Sequence, residues 1–169
     1  QKEVALGKGA LEDLRLIPDN PTPTSQGLDA IAKADFITLG PGSWFSSVMP
    51  HLLVAKQRQA LESSKAKKVI ILNLDAIPNV TGDELAGSSP ADHLRILRKF
   101  APELKCDVAL LDSSIAARSE LLIELEGLAE AMGGRVFVAD LASHPGSNHH
   151  DTEKLFLTLS HIFQAEMLR

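Results

Sequence analysis

Tyrosine is absent from this sequence of 169 residues, and aromatic residues as a whole make up only 4% of it. Proteins that hold single-stranded nucleic acid stack its bases on aromatic rings, and this chain lacks such a platform. Positive charge is scarce as well. Against 22 Asp and Glu there are 17 Lys and Arg, leaving a net charge of −5, the wrong sign for a nucleic-acid footprint. One cysteine, Cys106, excludes a disulfide framework and a zinc site built from cysteines. No apolar run approaches the roughly 20 residues of a membrane helix, and no signal peptide opens the chain. A cytoplasmic protein with no membrane insertion and no nucleic-acid partner is expected. The chain opens on Gln1 instead of Met, which suggests a fragment.

What is present describes a globular domain: 44% hydrophobic and 23% charged residues, at a length that suits one domain spanning 1–169. Val4 to Ile17 reads as two short strands around Gly7-Lys8-Gly9, a hairpin, and Pro18 to Pro23 as a proline-rich connector. Residues 1–24 thus form a hairpin and connector, and residues 25–169 an α/β core. Leu28, Ile31 and Ala32 mark a short amphipathic helix over 25–34. Four apolar runs follow, Phe36–Leu39, Val69–Leu72, Val108–Leu111 and Val136–Ala139, and their continuity predicts strands buried on both faces. Helical patterns separate them: His51 to Ser64, a segment opening at Ser89-Pro90, one from about Ala117 to Met132 and a last one from Asp151 toward Leu168. Strands alternating with helices predict a Rossmann-like α/β fold, a parallel sheet in three layers with helices on both faces, preceded by the short β-hairpin. Ligands of such sheets bind beyond the carboxyl ends of the strands.

The first strand runs into Gly40-Pro41-Gly42-Ser43, with Ser46 and Ser47 close behind. Glycines let a backbone turn tightly and approach a ligand. A helix starting at Ser43 would aim its free N–H groups at the same spot, as an anion site does. A plain tight turn between strand and helix explains the same residues. Pro50 is expected to break or kink that helix after about two turns. No named nucleotide motif is satisfied. Past the second strand stand Asn73 and Asp75, suited to a ligand's hydroxyl or amide, to a ribose or to a metal-bound water, and equally suited to capping a turn. The loop Pro78 to Ser88 is long for a compact α/β unit. Asp112 and Asp140 end the other two strands and read as N-caps. Asp92 and His93 at a helix start are ligand contacts or capped structural residues. His149-His150-Asp151 lacks metal-ligand spacing and no HExxH is present, so no metal is expected. No GxSxG elbow exists.

The stretch Leu39-Gly40-Pro41-Gly42-Ser43-Trp44-Phe45-Ser46-Ser47-Val48-Met49-Pro50-His51-Leu52-Leu53 closely resembles the LGPGS segment of the gluconeogenesis factor (YvcK) family, grouped with the CofD-like 2-phospho-L-lactate transferases. Asn73-Leu74 with Thr81-Gly82 and Ala91-Asp92-His93-Leu94 resembles a second block of that family. His150-Asp151-Thr152-Glu153-Lys154-Leu155 resembles its RHDxEKL ending. The resemblance implies a Rossmann-like protein of roughly twice this length, of which this chain looks like the C-terminal half, the half without the family's GGGTG loop. It also implies a UDP-sugar or other nucleotide diphosphate ligand, contacted by Gly40, Pro41, Gly42, Ser43, Ser46, Ser47, Asn73, Asp75, Asp92, His93 and His149. The last stands where the family carries arginine, and Ser88 stands where it carries tyrosine. The family implies a regulatory role in carbon metabolism, cell shape and cell-wall synthesis, with a CofD-like transferase as the alternative. Implied partners are the nucleotide sugar, the N-terminal half of its own chain or a second copy, and cell-wall synthesis proteins.

Overall fold

The computed structural model describes residues 15–74 and 89–168. The hairpin expected before Arg15, Asp75 and the loop 78–88 lie outside the described residues, and Arg15, Leu16 and Ile17, the end of that hairpin, carry no strand. Thr24 caps the first helix, α1 (Ser25–Lys33), by accepting the Gly27 N–H at 3.1 Å. Then come β1 (Phe36–Leu39), a wide turn at Trp44–Val48, α2 (Met49–Leu53), α3 (Ala55–Ser63), β2 (Lys67–Ile71), α4 (Pro90–Phe100), β3 (Val108–Asp112), α5 (Ser113–Ala116), α6 (Ser119–Ala131), β4 (Arg135–Ala139) and α7 (Thr152–Met167). All four strands are parallel and lie in the order β1-β2-β3-β4.

The fold is the expected α/β sheet with helices on both faces, and the two faces are unequal. Ile70, Leu72, Ala109 and Leu111 point to one side, where they meet Trp44, Leu52, Leu61, Leu94, Leu97, Leu125 and Ala129 from the crossover segments. Val69, Ile71, Val108 and Leu110 point to the other and meet Ile162, with Leu155, Leu159 and Phe163, all from α7. Residues two apart along a strand share a face, so the uninterrupted apolar runs of β2 and β3 feed two cores at once. Sequential strand order with crossovers of one hand places the connecting helices together. Among the described residues α7 is the helix that covers the second face, with Leu141 from the segment after β4 buried beside it. It reaches from β1, where Phe163 packs on Phe36 with ring centroids 4.4 Å apart, to Phe137 of β4.

The expectation of strands buried on both faces holds for β2 and β3 and is corrected for β1 and β4. Among the described residues these are the edges, with one neighbour each, and Thr38 and Val138 are exposed. One helix expectation changes as well: the segment 51–64 divides at Val54 into α2 and α3. The helical run from Trp44 changes character at Met49, next to Pro50, where a break or kink is expected. The chain ahead of Pro50 is widened: the N–H groups of Val48 and Met49 donate to the carbonyls five residues back, Ser43 and Trp44. Such a bulge gives the proline ring room against the preceding turn, and Pro50 then sits in the first turn of α2, where its missing N–H costs nothing. Burial pushes the Cys106 thiol up to about 12, which makes it an inert core residue.

At the amino ends of the strands, charge ties α7 down. Glu166, nearly sealed from solvent, receives Arg135 of β4 at 2.8 Å and Lys67 of β2 at 3.8 Å, and Lys67 also meets Asp107 at 3.2 Å. The buried Lys68 ammonium donates to the carbonyls of Ser64 and Ala66 at 2.8 and 3.0 Å. Among the described residues no helix is long and apolar enough to cross a membrane. Glu166 is the buried member, and Arg135 and Lys67 are 34% and 40% exposed and can turn to water without it. Glu166→Ala is therefore expected to lower unfolding stability by about 1 kcal/mol in urea and to raise hydrogen exchange in α7 before the rest of the fold.

Candidate functional site

The loop leaving β1 is moulded onto the carboxyl end of β2. Gly40 has φ +82°, and a Cβ there would stand 2.5 Å from the Ile71 carbonyl oxygen. Only a residue without a side chain brings the two backbones this close. Gly42, at φ +131°, faces open space. Its position is fixed from outside the loop: the Gly42 N–H donates to Asn73 Oδ1 at 3.0 Å, and Asn73 Nδ2 donates to the Gly42 carbonyl at 2.9 Å. Both ends of one side-chain amide thus engage both ends of one residue's polar backbone. Ser43 then caps the wide turn, its Oγ accepting the Ser46 N–H at 3.1 Å and sharing a hydrogen bond with Ser46 Oγ.

Trp44 and Phe45 plunge into the core, and Trp44 stacks on His93 of α4 with centroids 4.4 Å apart and planes inclined by 21°. Burial pushes His93 down to about 4, partly opposed by the Asp92 carboxylate, so the ring is neutral at pH 7. Among the described residues Trp44 Nε1 and His93 Nδ1 have no hydrogen-bond partner. Asp92 completes a capping box with Ser89, accepting the Ser89 N–H at 2.8 Å, and pairs with Arg95 at 2.6 Å. Burial pushes the Asp92 carboxyl up, and the Ser89 and Arg95 hydrogen bonds outweigh it, holding it below the usual carboxylate range.

The structure therefore gathers Gly40, Pro41, Gly42, Ser43, Ser46 and Asn73 into one unit at the strand ends, with His93 beneath it. Ser47 is exposed on the same turn. Asn73 and the Gly42 amide, expected to meet a ligand, are engaged with each other. Asp92 serves its own helix. His149 is exposed on the loop after β4, where its backbone takes up Ser143 and Ser147.

Sequence reasoning passed over Asp112 and His150. Asp112 is the N-cap expected of it, accepting the Ser114 N–H at 2.9 Å, and it also accepts the N–H groups of Leu141 and Ala142 at 2.8 and 3.1 Å. It thereby ties the loop after β4 to the end of β3. Burial pushes its carboxyl up, and these hydrogen bonds outweigh burial and hold it below the usual range. Asp140 is no cap. It pairs with Lys154 at 2.8 Å. His150 bridges to Ala142 and is half-buried, so it takes the inward place beside exposed His149. Burial lowers its pKa against the pull of Asp112 and the Leu72 carbonyl, and among the described residues its Nε2 is sealed without a partner. No group of three or more His, Cys, Asp or Glu suited to a metal occurs among the described residues.

Comparison with known proteins places this geometry. A family profile described as "2-phospho-L-lactate transferase CofD" matches residues 1–141. A Mycobacterium tuberculosis protein named "Putative gluconeogenesis factor" is 36% identical over 162 residues, covering 96% of this chain and 46% of its own length. An Aquifex aeolicus protein of the same name is 30% identical over 164 residues, covering 90% of this chain and 49% of its own. A crystal structure of a UPF0052-family protein from Bacillus halodurans matches with a TM-score of 0.65 at 27% identity, over 85% of this chain and 48% of that one. The chain spans about half the length of the curated relatives it matches.

Two outcomes are expected from this geometry. Gly40→Ala, which drives a Cβ into the Ile71 carbonyl, costs on the order of 2 kcal/mol, read as a lowered urea midpoint. His93 is protonated near 6.5 when unfolded and near 4 when folded, so the stability it contributes is complete above pH 6.5 and is lost as pH falls toward 4. The loss is on the order of 3 kcal/mol. Denaturation measured across that window is expected to show a shallower slope in His93→Gln, the remainder coming from His150.

Proposed function

The chain belongs to the CofD family, and from that premise we propose that it binds a nucleotide diphosphate, with a UDP-sugar as the first candidate. We read it as a regulatory protein of central carbon metabolism linked to cell shape and cell-wall synthesis. The observation that carries the ligand reading is the Gly40–Ser43 loop, set past the carboxyl end of a parallel strand with bare backbone at Gly42. Diphosphates are bound at such places because a chain without Cβ atoms admits close approach of phosphate oxygens. The exposed Ser47 hydroxyl adds a donor at the same turn. Relatives named as gluconeogenesis factors support the metabolic part of the reading.

A transferase acting on a nucleotide diphosphate donor is the second reading, favoured by the description of the family itself. Turnover of GTP-type or pyrophosphate-linked donors distinguishes it from a regulator that only binds. For partners we propose the half of the family's length that this chain does not span, or a second copy, meeting the exposed edge of β1 and the outer side of α7, where Phe156 and Leu157 are exposed. Cell-wall synthesis proteins are the proposed partners in the cell.

The test is calorimetric titration of UDP-N-acetylglucosamine into the full native gene product. Saturable binding is expected, and Gly42→Val is expected to abolish it: nothing packs where the new Cβ would go, but φ +131° is a conformation valine rarely adopts, so the loop itself is displaced. No saturable heat at millimolar ligand removes the UDP-sugar reading. Unchanged affinity in Gly42→Val reduces the loop to a turn.

A further inference from the structure

We propose that Asn73 and His93 are positioning residues that brace the Gly40–Trp44 loop from its two ends, giving it a single shape before any ligand arrives. The proposal deepens the reading above and rests on it for the ligand, not for the brace.

At the near end, Gly42 is exposed, carries φ +131°, and has no atom within 4 Å of the place a Cβ would occupy. Packing does not hold such a residue, and glycine at positive φ has many other conformations open to it. Two hydrogen bonds of 3.0 and 2.9 Å to a side chain 31 residues away do hold it. Because one Asn supplies both an acceptor and a donor, it fixes the orientation of the residue as well as its position. At the far end the chain enters the core through Trp44, 1% exposed, lying flat on His93 of a different helix. The braces come from the end of β2 and from α4, both outside the loop.

A loop ordered in advance spares its ligand the entropy of ordering it. The same geometry has a second consequence. The Gly42 N–H, already given to Asn73, is part of the frame. A diphosphate seated here takes its hydrogen bonds from other donors of the turn, and Asn73 acts on affinity only through the loop.

Within these 169 residues Trp44 is the only tryptophan and tyrosine is absent, and in a longer gene product the emission of Trp44 is taken as the difference from Trp44→Phe. In the full native gene product, Asn73→Ala is expected to speed Gly42 amide exchange at least tenfold and to weaken UDP-N-acetylglucosamine about tenfold. Asn73→Asp keeps an acceptor for that N–H and is expected to leave its exchange within threefold of the native rate. His93→Ala is expected to shift Trp44 emission to the red, and His93→Phe, which preserves the stack, to hold it. Unchanged Gly42 exchange in Asn73→Ala, or unchanged emission in His93→Ala, overturns the brace. So does weaker ligand binding with Gly42 still protected, which makes Asn73 a direct contact. Tighter binding in Asn73→Ala overturns it too, by showing that Asn73 competes with the ligand. If the native protein binds no sugar nucleotide, the ligand reading fails alone, and the exchange and emission results still decide the brace.

Discussion

One side-chain amide, that of Asn73, holds the polar backbone of Gly42 through two hydrogen bonds, and the rest of the site is arranged around that pair. Gly40 presses against the Ile71 carbonyl just ahead of it, and Ser43 begins the wide turn just behind. The loop therefore has no shape of its own. It is cast against the end of β2, and β2 in turn is fixed by burial on both faces of the sheet. A change in the register of β2 against β1 would move Asn73 away from Gly42 while leaving most apolar contacts replaceable. Sheet register, set by the paired faces, is what converts a hydrophobic core into a placed functional loop.

The two faces of the sheet divide the work. The crossover side is thick, with Trp44, Leu52, Leu94, Leu97 and Leu125 locked together, and it carries the braces of the loop. The opposite side depends on α7, joined through apolar contacts along its length, Asp151 capping its start and Glu166 at its end. Lys154 adds a tie near the start, to Asp140 and to the Ala142 carbonyl at 2.8 Å each. The apolar contacts stabilise α7 without choosing its register, and the polar ties at both ends choose it. Buried charge of this kind is weak evidence for stability and better evidence for specificity.

Much of the fold was legible because it rests on periodicity. Four apolar runs, helical spacing between them and the Ser89-Pro90 start translate directly into β1–β4 and α4, since burial rewards those patterns wherever the chain closes on itself. What could not be read was relational. That β1 and β4 are edges follows from strand order, which no local pattern contains. The form of the distortion ahead of Pro50 was not legible, because it lies in which carbonyls the Val48 and Met49 N–H groups reach. At the site, residue types were legible and their allegiances were not. Asn after a strand suits a ligand or a turn equally well, and only the fold reveals that its partner is a glycine 31 positions earlier. His149 and His150 are chemically identical in sequence, and the Ala142 bridge decides which one faces inward.

These allegiances bear on how the family's glycine loop works. An anion cradle of exposed, freely pointing amides would be met only by water when empty, and its donors would lack fixed partners. Here the Gly42 amide and the Ser43 hydroxyl already have them. A loop already held by its own hydrogen bonds needs no ligand to keep its shape; on the reading proposed above, selectivity would come from that shape and from other donors around its rim, since the Gly42 amide and the Ser43 hydroxyl are engaged. Stability without ligand suits a protein that senses a metabolite, since a sensor has to persist in both its bound and its free state. A loop that collapsed when empty would make the free state a partly unfolded one, and occupancy would then report folding as much as concentration.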